Sequence, residues 1–319
     1  MNTSELVGRY LAARRAHGTS LRSGQRLLYQ FARETGDGPL EDVSPQAVSV
    51  FLRGRGELSA TWNTRYGLLT GLYRFALARG HVQAWPLPDQ RPKLPPQITP
   101  YVYSREELQR LLDATASLNS PQSQLQATTY RALLLLLYAA GLRVSEALRL
   151  RLADLDRSQR MLIIRETKFH KTRLVPIGEA AVEALVRYVD RRCSELPIPQ
   201  GASSALFASR SGHRLDYQRV VTLFQRVRAE AGIVCPPGER RPPRLHDLRH
   251  TAAVHRVVSW YQDGKDVQLL LPRLATYLGH VNLASTQRYL QMTPDLLHQA
   301  SMRFAEYAAT QPCEEDSHA

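Results

Sequence analysis

The chain has 319 residues, of which 43% are hydrophobic and 22% are charged, and its formal net charge is +13 at neutral pH. This composition excludes a disordered chain, and the length suffices for two domains. The positive charge favours a polyanionic partner, and nucleic acid fits better than a membrane because the longest aliphatic run, residues 132–140, is far shorter than the ~20 residues that cross a bilayer.

Residues 1–85 are predicted to form a small all-helical unit, because apolar residues recur at helical spacing throughout. Ser44 followed by Pro45 is typical of a helix start, and Gly80 is predicted to end the strongest helix, over residues 59–79. Arginines occupy the polar faces of these helices. They are equally compatible with a solvated basic surface and with DNA binding.

Prolines crowd residues 86–100 and predict an extended, semi-stiff connector between two domains. The second domain, residues 101–319, opens with a capping-box pattern at residues 104–107. A hydrophobic helix is predicted over about 124–140, and residues 161–164 and 173–177 are strand-like, with residues 166–172 as their turn. Helices are expected to dominate from Gly178 onward. The sequence therefore predicts a mainly α fold with one small antiparallel sheet.

Six polar residues of the second domain suit attack on a phosphodiester without a metal. Guanidinium groups match the geometry of phosphate oxygens with paired hydrogen bonds. A tyrosine can supply the nucleophile and a lysine the proton for the leaving oxygen. The candidate catalytic residues are Arg143, Lys168, His246, Arg249, His280 and Tyr289.

The local context of these residues resembles the tyrosine recombinases of the phage-integrase family. The resemblance rests on an Arg-x-x-Glu pair after a glycine at residues 141–146, the His-Asp-Leu-Arg-His box at 246–250, Leu-Gly-His at 278–280, and Tyr289 one helix later. It spans roughly residues 100–310. It implies an N-terminal helical core-binding (SAM-like) domain, the connector, and a mostly α catalytic domain that clamps DNA together with the first.

The resemblance also implies a role for each candidate. Arg143 and Arg249 clamp the phosphate, His246 and His280 hydrogen-bond or tune it, and Lys168 is the general acid. Tyr289 attacks the phosphorus. Glu146 is interpreted as a brace for the site, and His250 as a buttress for its helix.

Two alternatives stay open at the level of individual residues. Lys171 competes with Lys168, because the segment lacks the usual glycine-rich turn and has Phe169-His170 instead. His246 and His250 have the spacing of a helical zinc site, but Asp247 stands where that motif needs glutamate. No metal or cofactor is therefore expected.

The predicted activity is site-specific DNA recombination or integration through a 3′-phosphotyrosyl intermediate. The expected partners are double-stranded DNA and further copies of the chain in a tetramer, with or without a partner recombinase. Residues 294–310 have the apolar stripe for exchange between protomers. The alternatives are a type IB topoisomerase and a catalytically inactive DNA-binding regulator. Three widely spaced cysteines and the lack of a signal pattern favour the cytoplasm. The arginine-rich composition favours a bacterial mobile element as the origin.

Overall fold

The computed structural model describes residues 1–18, 21–95, 99–119, 125–165, 172–195, 200–239, 241–280 and 301–302. The chain separates into two compact units, Met1–Thr99 and Pro100–Ala319. Among these described residues, no helix combines the length and apolarity needed to cross a membrane.

The first unit is entirely helical. Its helices are α1 (Thr3–Ala16), α2 (Arg22–Glu34), α3 (Pro45–Arg53) and α4 (Thr61–Leu77). Helix α1 starts with a capping box, in which the Asn2 side chain accepts from the Glu5 N–H and the Glu5 carboxylate accepts from the Asn2 N–H. Ser44 caps α3 as predicted, by accepting a hydrogen bond from the Ala47 N–H.

The core of the first unit consists of side chains from all four helices. Phe31 and Phe51 are both buried and meet edge to face, with their ring centroids 5.0 Å apart. Leu87 is buried in the same core and Leu94 packs against it, although both residues belong to the predicted connector. Burial of these two leucines ties the start of that segment to the helical unit.

The second unit combines seven α-helices with three short strands among its described residues. The helices are α5 (Arg105–Ala114), α6 (Gln126–Ala139), α7 (Val144–Ala147), α8 (Glu179–Glu195), α9 (Tyr217–Glu230), α10 (Asp247–Gln262) and α11 (Val267–Leu278). The strands are β1 (Leu155–Asp156), β2 (Met161–Ile164) and β3 (Arg173–Pro176), in the order β1-β2-β3 with both pairs antiparallel. The predicted mainly α fold with a small antiparallel sheet is confirmed.

Helix α6 lies at the centre of the second unit. Leu133 and Leu136 are fully buried, and the helix packs against α8 and α10. The apolar run of α6 therefore serves as the core of the domain. Its carboxyl end leads directly into the segment that carries Arg143.

A short turn joins α10 to α11. Helix α10 continues to Gln262, and Asp266 caps α11 by accepting from the Leu269 N–H at 3.2 Å. Lys265 lies on the surface with its ammonium 2.8 Å from the Asp263 carboxylate. These residues form a turn, and the chain then returns through α11 to the Leu-Gly-His motif.

Candidate active site

Arg143 is placed by the sharp turn that follows α6. Gly141 has φ +58°, and a Cβ at this position would lie 2.8 Å from the Leu278 side chain. Only glycine combines this backbone conformation with the close approach of α11. Arg143 then caps α7, and its side chain is 37% exposed. The Arg143 N–H donates to Glu146 at 3.0 Å. A phosphate at this position would therefore be contacted by the Arg143 guanidinium and not by its backbone N–H.

Arg249 lies inside the domain, with 1% of its surface exposed. Its Nη1 donates to the Gly141 carbonyl at 2.7 Å and its Nη2 to the Leu278 carbonyl at 2.6 Å. These two bonds join α10 to the turn before Arg143 and to the end of α11. The planar guanidinium is thereby fixed at the point where three motifs of the sequence converge.

His280 contacts Arg249 directly. Its Nε2 lies 2.9 Å from Nη2 of Arg249. Because arginine only donates, Nε2 is the acceptor, and the neutral ring carries its proton on Nδ1. Burial and, after it, the positive charges of Arg249 and Arg143 together lower the pKa of His280 to about 4. His280 is therefore neutral at physiological pH.

Glu146 is the anion at the centre of this group. Its carboxylate is 3% exposed and accepts from Arg143 Nη1 at 2.8 Å, from Arg173 at 3.0 and 2.9 Å, and lies 3.9 Å from Arg249 Nη1. Burial raises the pKa of Glu146, but the hydrogen bonds and charges of Arg173 and Arg143 outweigh burial and hold it at about 2. Three arginines therefore share one permanently charged carboxylate.

His246 and Asp247 begin α10. His246 is the N-cap residue of this helix, three positions before Arg249. Partial burial and the charges of Arg249, Arg244 and Arg143 lower its pKa, while Asp247 opposes this shift. Asp247 accepts from the Arg244 N–H at 2.8 Å and from Arg244 Nη2 at 2.9 Å. The Asp247 carboxylate is thus paired with Arg244. No group of three potential metal ligands occurs in the described part of the chain.

His250 gives this region a pH-dependent stability. It is 1% exposed, and burial lowers its pKa from 6.5 to about 4. In the unfolded chain His250 binds a proton below about pH 6.5, whereas in the folded protein it stays neutral down to about pH 4. Protonation of the unfolded chain therefore lowers the stability of the fold as the pH falls from 6.5 towards 4. Between pH 7 and pH 5 the free energy of unfolding of the wild type is therefore expected to fall by about 2 kcal/mol more than that of His250→Gln. Urea denaturation at the two pH values measures this difference, and equal pH slopes would contradict it.

The structure brings together part of the predicted set. Arg143 and Arg249 donate to the adjacent carbonyls of Gly279 and Leu278, and Arg249 also contacts His280. His246 stands at the head of the same helix as Arg249. Lys168 and its competitor Lys171 lie outside the described residues, as do Tyr289 and nearly all of 294–310.

Arg173 is the residue that the sequence analysis missed. It is predicted from the sequence only as the first residue of the strand-like range 173–177. The structure places its guanidinium in the site, paired with Glu146. An arginine that opens a short strand directly after the lysine segment was the available signal, but a sequence does not show which way a strand residue faces.

Comparison with known proteins identifies the family of the chain. A family model described as the phage integrase family matches residues 102–295. A putative integrase/recombinase of Sinorhizobium fredii is 36% identical over 303 residues, which cover 94% of this chain and 96% of the relative. The chain belongs to the phage integrase family. A tyrosine recombinase XerD of Caulobacter vibrioides is 32% identical over 88% of this chain and 86% of its own length.

Solved structures of this family share the fold. The Tn1549 transposon integrase, in complex with a circular intermediate DNA, superposes with a TM-score of 0.69 at 18% identity and covers 95% of this chain and 99% of that chain. A lambda integrase tetramer bound to a Holliday junction gives a TM-score of 0.65 at 19% identity, over 91% and 77%. As a phage integrase family member, the chain is a tyrosine recombinase, and its activity is site-specific recombination.

Proposed function

We propose that this recombinase cuts and rejoins double-stranded DNA through a 3′-phosphotyrosyl bond to Tyr289. The observation that carries the proposal is the convergence of Arg143, Arg249 and His280 around one buried carboxylate. Two guanidinium groups and a neutral imidazole with a defined donor nitrogen suit a phosphate whose oxygens gain charge in the transition state.

The reaction balances without an added cofactor. The Tyr289 oxygen attacks the phosphorus, a tyrosine–phosphate ester forms, and the bond from phosphorus to the 5′ oxygen breaks. The tyrosine proton passes to solvent or a neighbouring base, and Lys168 donates a proton to the leaving 5′ oxygen. Attack by a 5′-hydroxyl of another strand reverses these steps, so the phosphodiester energy is retained in the ester. Neither ATP nor a metal ion is required.

The strand register supports Lys168 as the proton donor. Ile164 of β2 pairs with Arg173 of β3, so the connecting segment that holds Lys168 and Lys171 begins and ends at this pair. Arg173 itself contacts Glu146 at the centre of the site. Both lysines are therefore tethered within a few residues of the phosphate clamp, and the family resemblance favours Lys168.

The wider assembly is proposed from charge and from similar proteins. The chain carries a net charge of +13, which suits contact with many phosphates. Structural neighbours include an integrase in complex with DNA and a tetramer bound to a Holliday junction. We accordingly assign residues 1–85 to core-site binding, 86–100 to the connector, 101–319 to catalysis and 294–310 to exchange between protomers of a tetramer. The site of action is DNA in the cytoplasm.

A covalent-trapping experiment tests this function. Purified protein is mixed, in the presence of EDTA and without ATP, with nicked duplexes tiled across the DNA that flanks its gene. A nick close to the cleavage position lets the short fragment that bears the new 5′-hydroxyl diffuse away, so the ester cannot be reversed. An SDS-resistant protein–DNA adduct that forms on one sequence and not on its scrambled version is the expected result.

The rival functions give different outcomes in the same assay. Relaxation of supercoiled DNA without a preferred site, and without strand exchange between duplexes, would identify a topoisomerase. Tight binding to one site with no adduct on any nicked duplex would identify a DNA-binding regulator. Either result would overturn the proposal.

A further inference from the structure

Arg173 lies in the site but is not one of the six candidates. Its side chain is 13% exposed, and it points at Glu146 with both terminal nitrogens, at 3.0 and 2.9 Å. Its Nε donates to the Tyr277 carbonyl at 3.3 Å. Three hydrogen bonds from one guanidinium therefore hold β3 against the buried carboxylate and the end of α11.

The charges around Glu146 explain why a third arginine is needed. The carboxylate is 3% exposed and also contacts Arg143 at 2.8 Å and Arg249 at 3.9 Å. A buried charge must be compensated by its neighbours, and interactions between close charges are strong away from water. Without Arg173, the two clamp arginines would have to neutralise Glu146 as well as a bound phosphate.

We propose that Arg173 is a positioning residue that takes up the charge of Glu146 and thereby leaves Arg143 and Arg249 directed at the scissile phosphate. This inference rests on the proposed phosphate-clamp function of the two arginines. Arg173 acts through Glu146 and does not itself contact the substrate.

The backbone at Gly279 supplies a second, independent contact. A Cβ at Gly279 would lie 2.8 Å from Nη1 of Arg173, so the guanidinium packs directly against this glycine. The Gly279 carbonyl accepts from Arg143 Nη2 at 3.1 Å, and the next residue is His280. Arg173 thus supports both the carboxylate and the carbonyl that orient Arg143.

The geometry also distinguishes arginine from lysine at this position. A guanidinium places two parallel N–H groups on the two oxygens of a carboxylate, whereas an ammonium offers a single point charge. Arg173→Lys keeps the charge but loses the paired bonds. Its cleavage rate is therefore expected to lie between those of Arg173→Gln and the wild type.

The experiment measures single-turnover formation of the covalent adduct by full-length protein on three forms of one nicked site. The first has the natural phosphate, the second an uncharged methylphosphonate at the scissile position, and the third a 5′-bridging phosphorothiolate, whose sulphur leaves without protonation. The control variant is Arg131→Gln, which removes an equal charge from an exposed pair with Asp113. Binding affinity for the site is measured in parallel, as a check that each variant is folded.

On the natural phosphate, Arg173→Gln is expected to be slower than the wild type by about 10²-fold, as for a small misplacement of a catalytic group. Arg131→Gln is expected to stay within about twofold, since exposed ion pairs contribute little. The deficit of Arg173→Gln should shrink to less than about tenfold on the methylphosphonate, because an uncharged phosphate makes less demand on the clamp. The phosphorothiolate should not restore the rate of this variant but should restore that of Lys168→Ala.

A double variant separates charge compensation from general support. If Arg173 acts through Glu146, the double variant Glu146→Gln/Arg173→Gln cleaves no more slowly than the single variant Glu146→Gln. The proposal would be overturned if Arg173→Gln slowed cleavage equally on phosphate and methylphosphonate. It would also be overturned if the phosphorothiolate restored the rate, because Arg173 would then support protonation of the leaving oxygen by the lysine. A wild type that forms no adduct would instead contradict the proposed function itself.

Discussion

Tyr289→Phe is expected to abolish the covalent protein–DNA adduct. The phenyl ring has no oxygen with which to form the phosphate ester, so the rate of adduct formation should fall by at least about 10⁴-fold, as for removal of other catalytic nucleophiles. Site affinity should change little, because phosphate contacts are made by the cationic side chains. Adduct on nicked duplex, resolved on a denaturing gel beside a binding titration, measures both quantities.

Tyr277→Phe is the matched control for this experiment. The Tyr277 hydroxyl donates to the Pro176 carbonyl at 3.2 Å, and it lies 3.4 Å from the Ala139 carbonyl. Its loss should cost about 1 kcal/mol of stability and leave the adduct intact. An adduct that persists in Tyr289→Phe, or that disappears in Tyr277→Phe, would show that the nucleophile was assigned to the wrong tyrosine.

The sequence allowed prediction of the features that depend on local spacing. Ser44 and Ser104 cap their helices as their patterns indicate, and the two main strands occur where β-branched and aliphatic residues cluster. The ordered motifs around Arg143, Arg249 and His280 also converge in space. Local hydrogen-bonding rules and motif order are readable because they involve residues a few positions apart.

Other features of the site depend on tertiary packing and could not be predicted. Nothing in the sequence distinguishes Arg249, which is 1% exposed, from Arg143, whose side chain is 37% exposed. The three-arginine environment of Glu146 combines α7, β3 and α10, which lie up to about a hundred residues apart along the chain. Such a group becomes visible only once the elements are packed together.

This difference in burial separates the two clamp arginines experimentally. Arg249→Lys and Arg143→Lys are both expected to slow adduct formation by about 10²- to 10³-fold, because each removes a paired donor from the transition state. Only Arg249→Lys should also strongly destabilise the fold, by about 2–4 kcal/mol, because the carbonyls of Gly141 and Leu278 lose donors inside the domain. For Arg143→Lys the expected loss is about 1 kcal/mol.

Urea denaturation together with single-turnover cleavage distinguishes the two contributions. If Arg249 acts only as a structural link, the cleavage rate of Arg249→Lys returns to the wild-type value once it is corrected for the folded fraction. If Arg249 also clamps the phosphate, the corrected rate stays low and resembles that of Arg143→Lys. The close contact between Arg249 Nη2 and His280 Nε2, at 2.9 Å, favours the second outcome, because any shift of this guanidinium also removes the donor that fixes the tautomer of His280.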